Sequence, residues 1–142
     1  MKVAILGYGR QGASSFNYYK NLGHEVIIHD LNEALELPEN TKAILGKEYI
    51  NNLDSYDLII RGPKIHPIDI VKANSEEILK KITTNTDEFM KVCPTKNIIG
   101  ITGTKGKGTT STLVAQLISD CGHRVHLGGN IGIPPLDLLL DD

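Results

Sequence analysis

The chain opens with a short apolar run that leads into a glycine-rich turn and a helical pattern. Lys2 to Leu6 is apolar on both faces and ends at Gly7, which predicts a buried parallel strand. From Gln11 to Leu22 apolar and aromatic residues recur at helical spacing, and Glu25 to His29 then predicts a second strand that ends at Asp30. This order predicts the first half of a doubly wound sheet with a right-handed crossover.

The middle of the chain predicts shorter elements, because prolines and polar residues interrupt the apolar pattern. We expect a loop with a weak helical turn over 31–39, and a helix over 68–80 that breaks near Asn74. The other predicted elements are strands over 42–45, 57–61 and 81–84 and a helical turn over 87–92.

After Pro94 the pattern of strand, glycine loop and helix begins again. Asn97 to Ile101 predicts a strand, Thr109 to Cys121 a helix and Arg124 to Leu127 a further strand. We therefore expect a Rossmann-like domain over 1–93 and the opening of a second domain over 94–142. The predicted fold class is α/β: a Rossmann-like parallel sheet, followed by the first strand, phosphate-binding loop and helix of a second α/β unit. The apolar segment at 136–140 has almost nothing after it, so we expect the front part of a longer protein.

Composition narrows the class of protein. The 142 residues are 40% hydrophobic and 23% charged, as in soluble globular proteins, and the formal net charge is -2. A chain without a basic field or patch is not expected to bind nucleic acid. The apolar run at the N-terminus is too short for a signal peptide or a membrane span, so we expect a cytoplasmic protein without a membrane partner.

The first glycine loop, Gly7 to Gly12, has the pattern G-x-G-x-x-G between a predicted strand and a predicted helix. Glycines allow a tight turn and close approach of the backbone to a diphosphate, and the start of a helix favours an anion. Asp30, at the end of the second strand, has the position of an acid that accepts hydrogen bonds from a nucleotide. A dinucleotide and a nucleoside diphosphate sugar would use the same backbone. A packing turn without a ligand is the alternative.

The second glycine loop resembles a phosphate-binding loop but departs from the general pattern G-x-x-x-x-G-K-[ST] at two positions. Ile101 stands at the first glycine and Gly108 at the final hydroxyl residue. Lys107 can still supply a charge for terminal phosphates, while Thr109 or Thr110 would have to provide the hydroxyl for Mg2+. The candidate ATP-binding residues are Gly103, Thr104, Lys105, Gly106, Lys107, Gly108, Thr109 and Thr110.

Together these segments resemble the Mur ligase family, ATP-dependent enzymes that build the peptide stem of bacterial cell-wall precursors. The family loop reads Thr-Gly-Thr-x-Gly-Lys followed by hydroxyl residues, which 102–110 reproduces apart from Gly108. Gly128 to Pro134 (GGNIGIP) resembles a segment of the member that adds D-glutamate. The resemblance covers the whole chain. It implies UDP-N-acetylmuramoyl-L-alanine and D-glutamate as substrates, ATP as co-substrate and Mg2+ as cofactor.

The resemblance also implies roles for individual residues. Arg10 and Gln11 would contact the diphosphate, Asp30 to Asn32 the uridine and Asn130 the muramoyl-alanine, while Lys107 would be the catalytic lysine at the ATP phosphates and Thr109 the candidate Mg2+ ligand. The family usually has Ser or Thr at Gln11, and Ser-Pro-Gly where this chain has Gly62-Pro63-Lys64. The UDP-sugar residues implied are Gly7, Gly9, Arg10, Gln11, Gly12, Asp30, Leu31, Asn32 and Asn130.

Three other functions are alternatives to this assignment. An NAD-dependent dehydrogenase would explain Gly7 to Gly12 and Asp30 but would leave the second loop and GGNIGIP without a role. A non-enzymatic UDP-sugar or nucleotide-binding module would explain the short chain, and another Mur-type ligase would use a different precursor. We expect the 142-residue chain to be inactive alone, because the family's later acidic Mg2+ ligand, modified lysine and amino-acid-binding domain would lie beyond residue 142.

Overall fold

A computed structural model of the protein, which describes residues 1–140, has an α/β fold around one parallel sheet. The five strands lie in the order β3-β2-β1-β4-β5, and all neighbouring pairs are parallel. A Rossmann-like sheet is thereby confirmed. The last two residues of the predicted second domain lie outside the described residues. The strands are β1 (Lys2–Leu6), β2 (Glu25–Asp30), β3 (Lys42–Leu45), β4 (Leu58–Arg61) and β5 (Ile82–Thr83).

Both faces of the sheet are buried, as the apolar character of β1 on both sides predicts. Successive side chains of a strand point to opposite faces. Val3 and Ile5 therefore pack with Phe16 of the first helix on one face, while Ala4 and Leu6 belong to a second cluster on the other. Burial on both sides places β1 at the centre of the fold.

The helices largely follow the predicted pattern. The predicted break near Asn74 is confirmed: its side-chain amide donates to the carbonyls of Ile50 and Ile70 and accepts from the Leu53 amide. No helix within residues 1–140 is long and apolar enough to cross a membrane. The α-helices are α1 (Arg10–Asn21), α2 (Pro67–Ala73), α3 (Asn85–Val92) and α4 (Lys107–Asp120), and the 3-10 helices are Leu53–Ser55, Glu76–Lys81 and Pro135–Leu140.

The strands predicted over Asn97–Ile101 and Arg124–Leu127 are wrong. Neither segment is extended in a sheet, and the described part of the chain offers each no neighbouring strand with which to form a hydrogen-bonded ladder. Only an isolated bridge joins Gly128 to Ile133. Helix α4 forms nearly as predicted, but none of its residues is buried. The apolar residues of this region have no partner surface to pack against, and an apolar pattern alone does not form the predicted sheet.

A buried carboxylate ties α1 to α3 and β5. The Tyr19 hydroxyl donates to Glu88 Oε2 at 2.5 Å, the Thr83 hydroxyl donates to Oε1 at 2.7 Å, and Lys91 forms an ion pair with the same carboxylate. Burial pushes the pKa of Glu88 upward, but the hydrogen bonds from Lys91, Tyr19 and Thr83 outweigh it and hold the pKa below its ordinary value. These contacts hold α3 against the face of the sheet that α1 covers.

His29, at the end of β2, is fully buried and hydrogen-bonded at both ring nitrogens. Nδ1 lies 2.7 Å from the carbonyl oxygen of Tyr49 and must carry the proton, because a carbonyl only accepts. Nε2 lies 2.7 Å from the hydroxyl of Tyr56, which donates to it in the neutral ring. Burial lowers the pKa of His29, against the opposing effect of the Tyr49 carbonyl.

We expect the free energy of unfolding to fall as the pH decreases below about 6.5, the ordinary pKa of an unfolded histidine. The unfolded chain then binds a proton that buried His29 resists, so ionisation favours unfolding. Urea denaturation between about pH 7.5 and pH 5.5 measures the effect, since carboxylates titrate lower. His126→Gln, at an exposed histidine whose ring forms no hydrogen bond within residues 1–140, is the control for His29→Gln. If the free energy of unfolding of His29→Gln falls with decreasing pH as steeply as that of the unaltered chain, the assignment to His29 is contradicted.

Candidate functional site

The strand order reverses at β1, and a cavity lies at that point. The chain passes from β1 to β2 on one side and later returns to β4 on the other side of β1. Loops that follow such diverging parallel strands leave a crevice outside their carboxyl ends. The cavity has a volume of about 480 Å³. Its lining residues are Gly7, Gly9, Arg10, Gln11, Gly12, Asp30, Gly62, Pro63, Lys64, Ile65, Gly129, Asn130 and Pro134.

The three glycines of the first loop have three different geometric roles. Gly7 has a φ of +85°, which favours glycine. A Cβ on Gly12 would stand 2.0 Å from the carbonyl oxygen of Gly7, so only glycine lets α1 approach the turn this closely. A Cβ on Gly9 would meet nothing within 4 Å. The structural constraints therefore explain Gly7 and Gly12, while Gly9 leaves an open approach to the backbone.

The start of α1 is suited to an anion. Gly9 is the N-cap residue, no side chain in the described part of the chain caps the helix, and its first turn has no acidic residue. The first backbone N–H groups of a helix lack partners within the helix and carry a partial positive charge. Arg10 and Gln11 are the first two helical residues and both line the cavity.

Asp30 holds the loop together from the end of β2. Its Oδ2 accepts from the amide of Tyr8 at 2.7 Å, and its Oδ1 accepts from the amide of Asn32 at 2.8 Å. The carboxylate thus joins the glycine turn to the segment after β2 and still lines the cavity. The sequence places Leu31 and Asn32 in the same site, but neither lines the cavity, and Leu31 is exposed.

The loop after β4 forms the opposite wall, where the resemblance implies a substrate loop that departs from the family pattern at Gly62-Pro63-Lys64. The Ile65 amide donates to the Gly62 carbonyl at 3.1 Å, and the Arg61 guanidinium donates to the Ile65 carbonyl at 3.1 Å, so the turn is braced. It brings Lys64 to the cavity. No role was predicted for Lys64 itself, because only the placement of β4 beside β1 brings this side chain to the cavity.

The third wall comes from the GGNIGIP segment, far away in sequence. Gly129, Asn130 and Pro134 line the cavity, and Arg10 Nη2 donates to the carbonyl of Gly132 at 2.7 Å. The structure therefore brings Asn130 together with the first glycine loop, as the resemblance implies. It also gives Arg10 a partner within the protein.

The charged residues of the cavity favour an anionic ligand. Arg10 and Lys64 oppose one acid, Asp30, whose two oxygens each accept from a backbone amide. Lys64 is exposed and, within residues 1–140, forms neither a hydrogen bond nor an ion pair. A free cation beside a helix start is suited to a phosphate group.

The second glycine loop is a separate feature that does not line this cavity. Gly106 is the N-cap of α4 with a φ of 75°, and Lys107 Nζ donates to the carbonyl of Gly103. Thr109 and Thr110 are exposed, and their hydroxyls have no hydrogen-bond partner among residues 1–140. The remaining loop residues Thr104 and Lys105 are also exposed.

Gly108 has a packing reason at the position where the general pattern has a hydroxyl residue. A Cβ there would stand 1.9 Å from Cδ1 of Ile131. Ile131 directly follows Asn130, so the side chain that packs on α4 is adjacent to the wall of the cavity. A serine or threonine at this position would require Ile131 to move.

Comparison with known proteins gives one consistent result. No family model matches the chain. It is 38% identical over 143 aligned residues to "UDP-N-acetylmuramoylalanine--D-glutamate ligase" of Clostridium botulinum (strain Loch Maree / Type A3), over 94% of this chain and 31% of that protein. The protein of the same name from Clostridium tetani (strain Massachusetts / E88) is 37% identical over 144 residues, with the same coverage. The chain therefore spans about a third of the length of these curated relatives. The resemblance inferred from the motifs is confirmed.

We expect Gly12→Ala to destabilise the fold and Gly9→Ala to leave it largely intact. The added methyl at position 12 collides with the Gly7 carbonyl, and overpacking of this kind costs about 1 to 3 kcal/mol. At position 9 the methyl enters open space, so the loss should stay below about 1 kcal/mol, the usual cost of alanine at an N-cap. Urea denaturation of both variants measures the difference. Equal destabilisation would contradict the packing role of Gly12.

Proposed function

We propose that this chain belongs to the Mur ligase family and binds UDP-N-acetylmuramoyl-L-alanine in the cavity at the end of β1. The observation that carries the proposal is the meeting of three segments in one cavity: the first glycine loop, the loop after β4 and GGNIGIP. The volume of about 480 Å³ lies within the range of small-molecule sites. The relatives are named as ligases of this muramoyl-alanine compound with D-glutamate.

Each part of the ligand is assigned to residues that line the cavity. The diphosphate lies at the start of α1, where the backbone of Gly9 is open to approach and Arg10, Gln11 and Lys64 supply donors. Asp30 faces the uridine from the end of β2, whereas Leu31 and Asn32 follow it outside the cavity lining. Asn130 contacts the muramoyl-alanine from the third wall.

We further propose that 94–142 supplies part of an ATP site of the ligase. The amides of the second glycine loop and Lys107 bind the phosphates of ATP, for which Lys107 must leave the Gly103 carbonyl. The exposed, unpartnered hydroxyls of Thr109 and Thr110 fit a hydrated Mg2+, because this ion takes oxygen ligands and keeps several waters. When bound, Mg2+ neutralises phosphate charge.

The proposed reaction joins two substrates in two steps. The carboxylate of the muramoyl-alanine attacks the γ-phosphorus of ATP, and ADP leaves with the electrons of the broken P–O bond. The amine of D-glutamate then attacks the acyl carbon, inorganic phosphate leaves and the amine loses a proton. Lys107 stabilises the charge on the transferred phosphoryl group.

We expect calorimetric titration to show binding of UDP-N-acetylmuramoyl-L-alanine and no comparable binding of NADH. Lys64→Ala removes the unpartnered cation of the cavity and should weaken binding of the UDP-sugar about tenfold, the effect of losing one charge-assisted contact. Lys47→Ala removes an exposed lysine outside the cavity and is the matched control.

Preference for NADH would contradict the proposal and favour a dehydrogenase. Equal loss of affinity for the UDP-sugar in Lys64→Ala and Lys47→Ala would show that Lys64 does not contact the ligand. Binding of the UDP-sugar without binding of Mg-ATP would favour a nucleotide-binding module.

The ATP site is tested by Lys107→Ala. We expect the affinity for Mg-ATP to fall at least about tenfold, because the lysine is the point charge of the loop, while the affinity for the UDP-sugar is unchanged. Lys96→Ala, an exposed lysine before the loop, is the control. Unchanged Mg-ATP binding in Lys107→Ala would show that the loop does not bind the nucleotide in the proposed way.

A further inference from the structure

Asn85, the first residue of α3, is buried and uses both ends of its side-chain amide. Its nitrogen donates to the hydroxyl oxygens of Ser15 at 2.9 Å and Ser14 at 3.1 Å, and lies 3.3 Å from the carbonyl oxygen of Gln11. Its oxygen accepts from the backbone amide of Leu136 at 3.2 Å. The side chain is only 1% exposed. One residue thus joins α3, the first turns of α1 and the 3-10 helix Pro135–Leu140.

The two sides that Asn85 connects are two walls of the same cavity. Gln11 lines it from α1, and Pro134 lines it just before Leu136. Leu136 is itself buried, at 1% exposure, so the 3-10 helix is seated in the core and does not lie loosely on the surface. The position of Asn130 relative to α1 therefore depends on how this segment is anchored.

Two polar contacts anchor the segment, and they differ in environment. Arg10 donates to the carbonyl of Gly132 at an exposed position, where water and an anionic ligand both compete for the guanidinium. The contact from Asn85 to Leu136 is buried. A buried amide that loses its partner bears the full cost of desolvation, so this contact resists opening more strongly.

A packing role alone does not explain an amide at this position. An apolar side chain of similar size would fill the same volume without the cost of burying a polar group. It would leave the Leu136 amide without an acceptor and would not distinguish one placement of the segment from another. Asn85 specifies a single placement, because its donor and acceptor ends satisfy different elements.

We propose that Asn85 is a positioning residue of the sugar-binding cavity, which holds the wall at 129–134 against α1 so that Asn130 faces the ligand. This inference rests on the proposed function for the identity of the ligand. The contact itself does not touch the ligand: Asn85 is absent from the cavity lining and acts through Leu136 and Gln11.

The test combines amide exchange with binding of two ligands to the whole chain. In Asn85→Ala we expect the hydrogen-bonded backbone amides of Gly129, Ile133 and Leu136 to exchange at least about tenfold faster than in the unaltered chain, since the buried anchor of their segment is lost. Affinity for UDP-N-acetylmuramoyl-L-alanine should fall about tenfold, while affinity for UDP, which does not reach Asn130, should change less than about twofold. Exchange is followed by 1H–15N spectra, and binding by calorimetry.

Thr84→Ala is the matched control. It removes the hydroxyl that caps α3 at the Asp87 amide, one residue before Asn85, and does not reach the wall at 129–134. General destabilisation of α3 would therefore appear in both variants, whereas selective loss of the muramoyl compound should appear only in Asn85→Ala. Ser14→Ala removes one acceptor of the Asn85 amide. It should weaken binding of the muramoyl compound selectively but to a smaller extent, and it replaces Asn85→Ala if that variant does not fold.

Equal weakening of both ligands, or unchanged exchange of the Gly129, Ile133 and Leu136 amides, would overturn the inference. If the unaltered chain binds neither ligand, the proposed function fails, and the exchange comparison between Asn85→Ala and Thr84→Ala still decides whether Asn85 anchors the wall.

Discussion

The close approach of α1 to the turn after β1 is the constraint on which the site depends. The carbonyl oxygen of Gly7 occupies the space that a Cβ at Gly12 would need. Because these two glycines let the helix start directly against the end of a central strand, its free amides point into the crevice where the strand order reverses. Asp30 then secures the turn through the Tyr8 amide. Backbone geometry, more than any single side chain, makes this place suitable for a diphosphate.

The rest of the cavity is assembled from segments that are distant in sequence. The turn after β4 brings Lys64, and the segment near Asn130 closes the third side. Polar contacts hold both segments in place. Arg61 braces the turn after β4, and Asn85 and Arg10 anchor the segment near Asn130. A site built in this way couples ligand recognition to the docking of the segment after α4. Ile131, next to Asn130, lies against Gly108 of the second glycine loop.

The elements of the parallel sheet and its helices could be predicted from short stretches of sequence. The apolar run of β1, the glycines that follow it and Asn74 in the broken helix each act on their immediate neighbours, so their consequences could be predicted. The strands predicted near Ile99 and Val125 failed for the opposite reason, because a strand is stabilised by a neighbour that sequence pattern does not reveal.

The same distinction applies to the site. Gly7 to Gly12 and Asp30 follow from a motif with a known geometric purpose, and Asn130 was identified through the family resemblance. Lys64 was missed as a binding residue because its position depends on strand order, and Asn85 because a buried amide has no sequence pattern. Leu31 was included through the same resemblance, but it lies outside the cavity.

The proposed function requires that one ligand occupy the crevice between the first glycine loop and the wall that carries Asn130. Mapping backbone amide shifts in 1H–15N spectra during titration with UDP-N-acetylmuramoyl-L-alanine tests this location directly. We expect the signals of Gly9 to Gly12, Lys64 and Asn130 to shift together, at the same ligand concentrations. Shifts confined to other parts of the chain, or shifts at the first loop without any at Asn130, would contradict it.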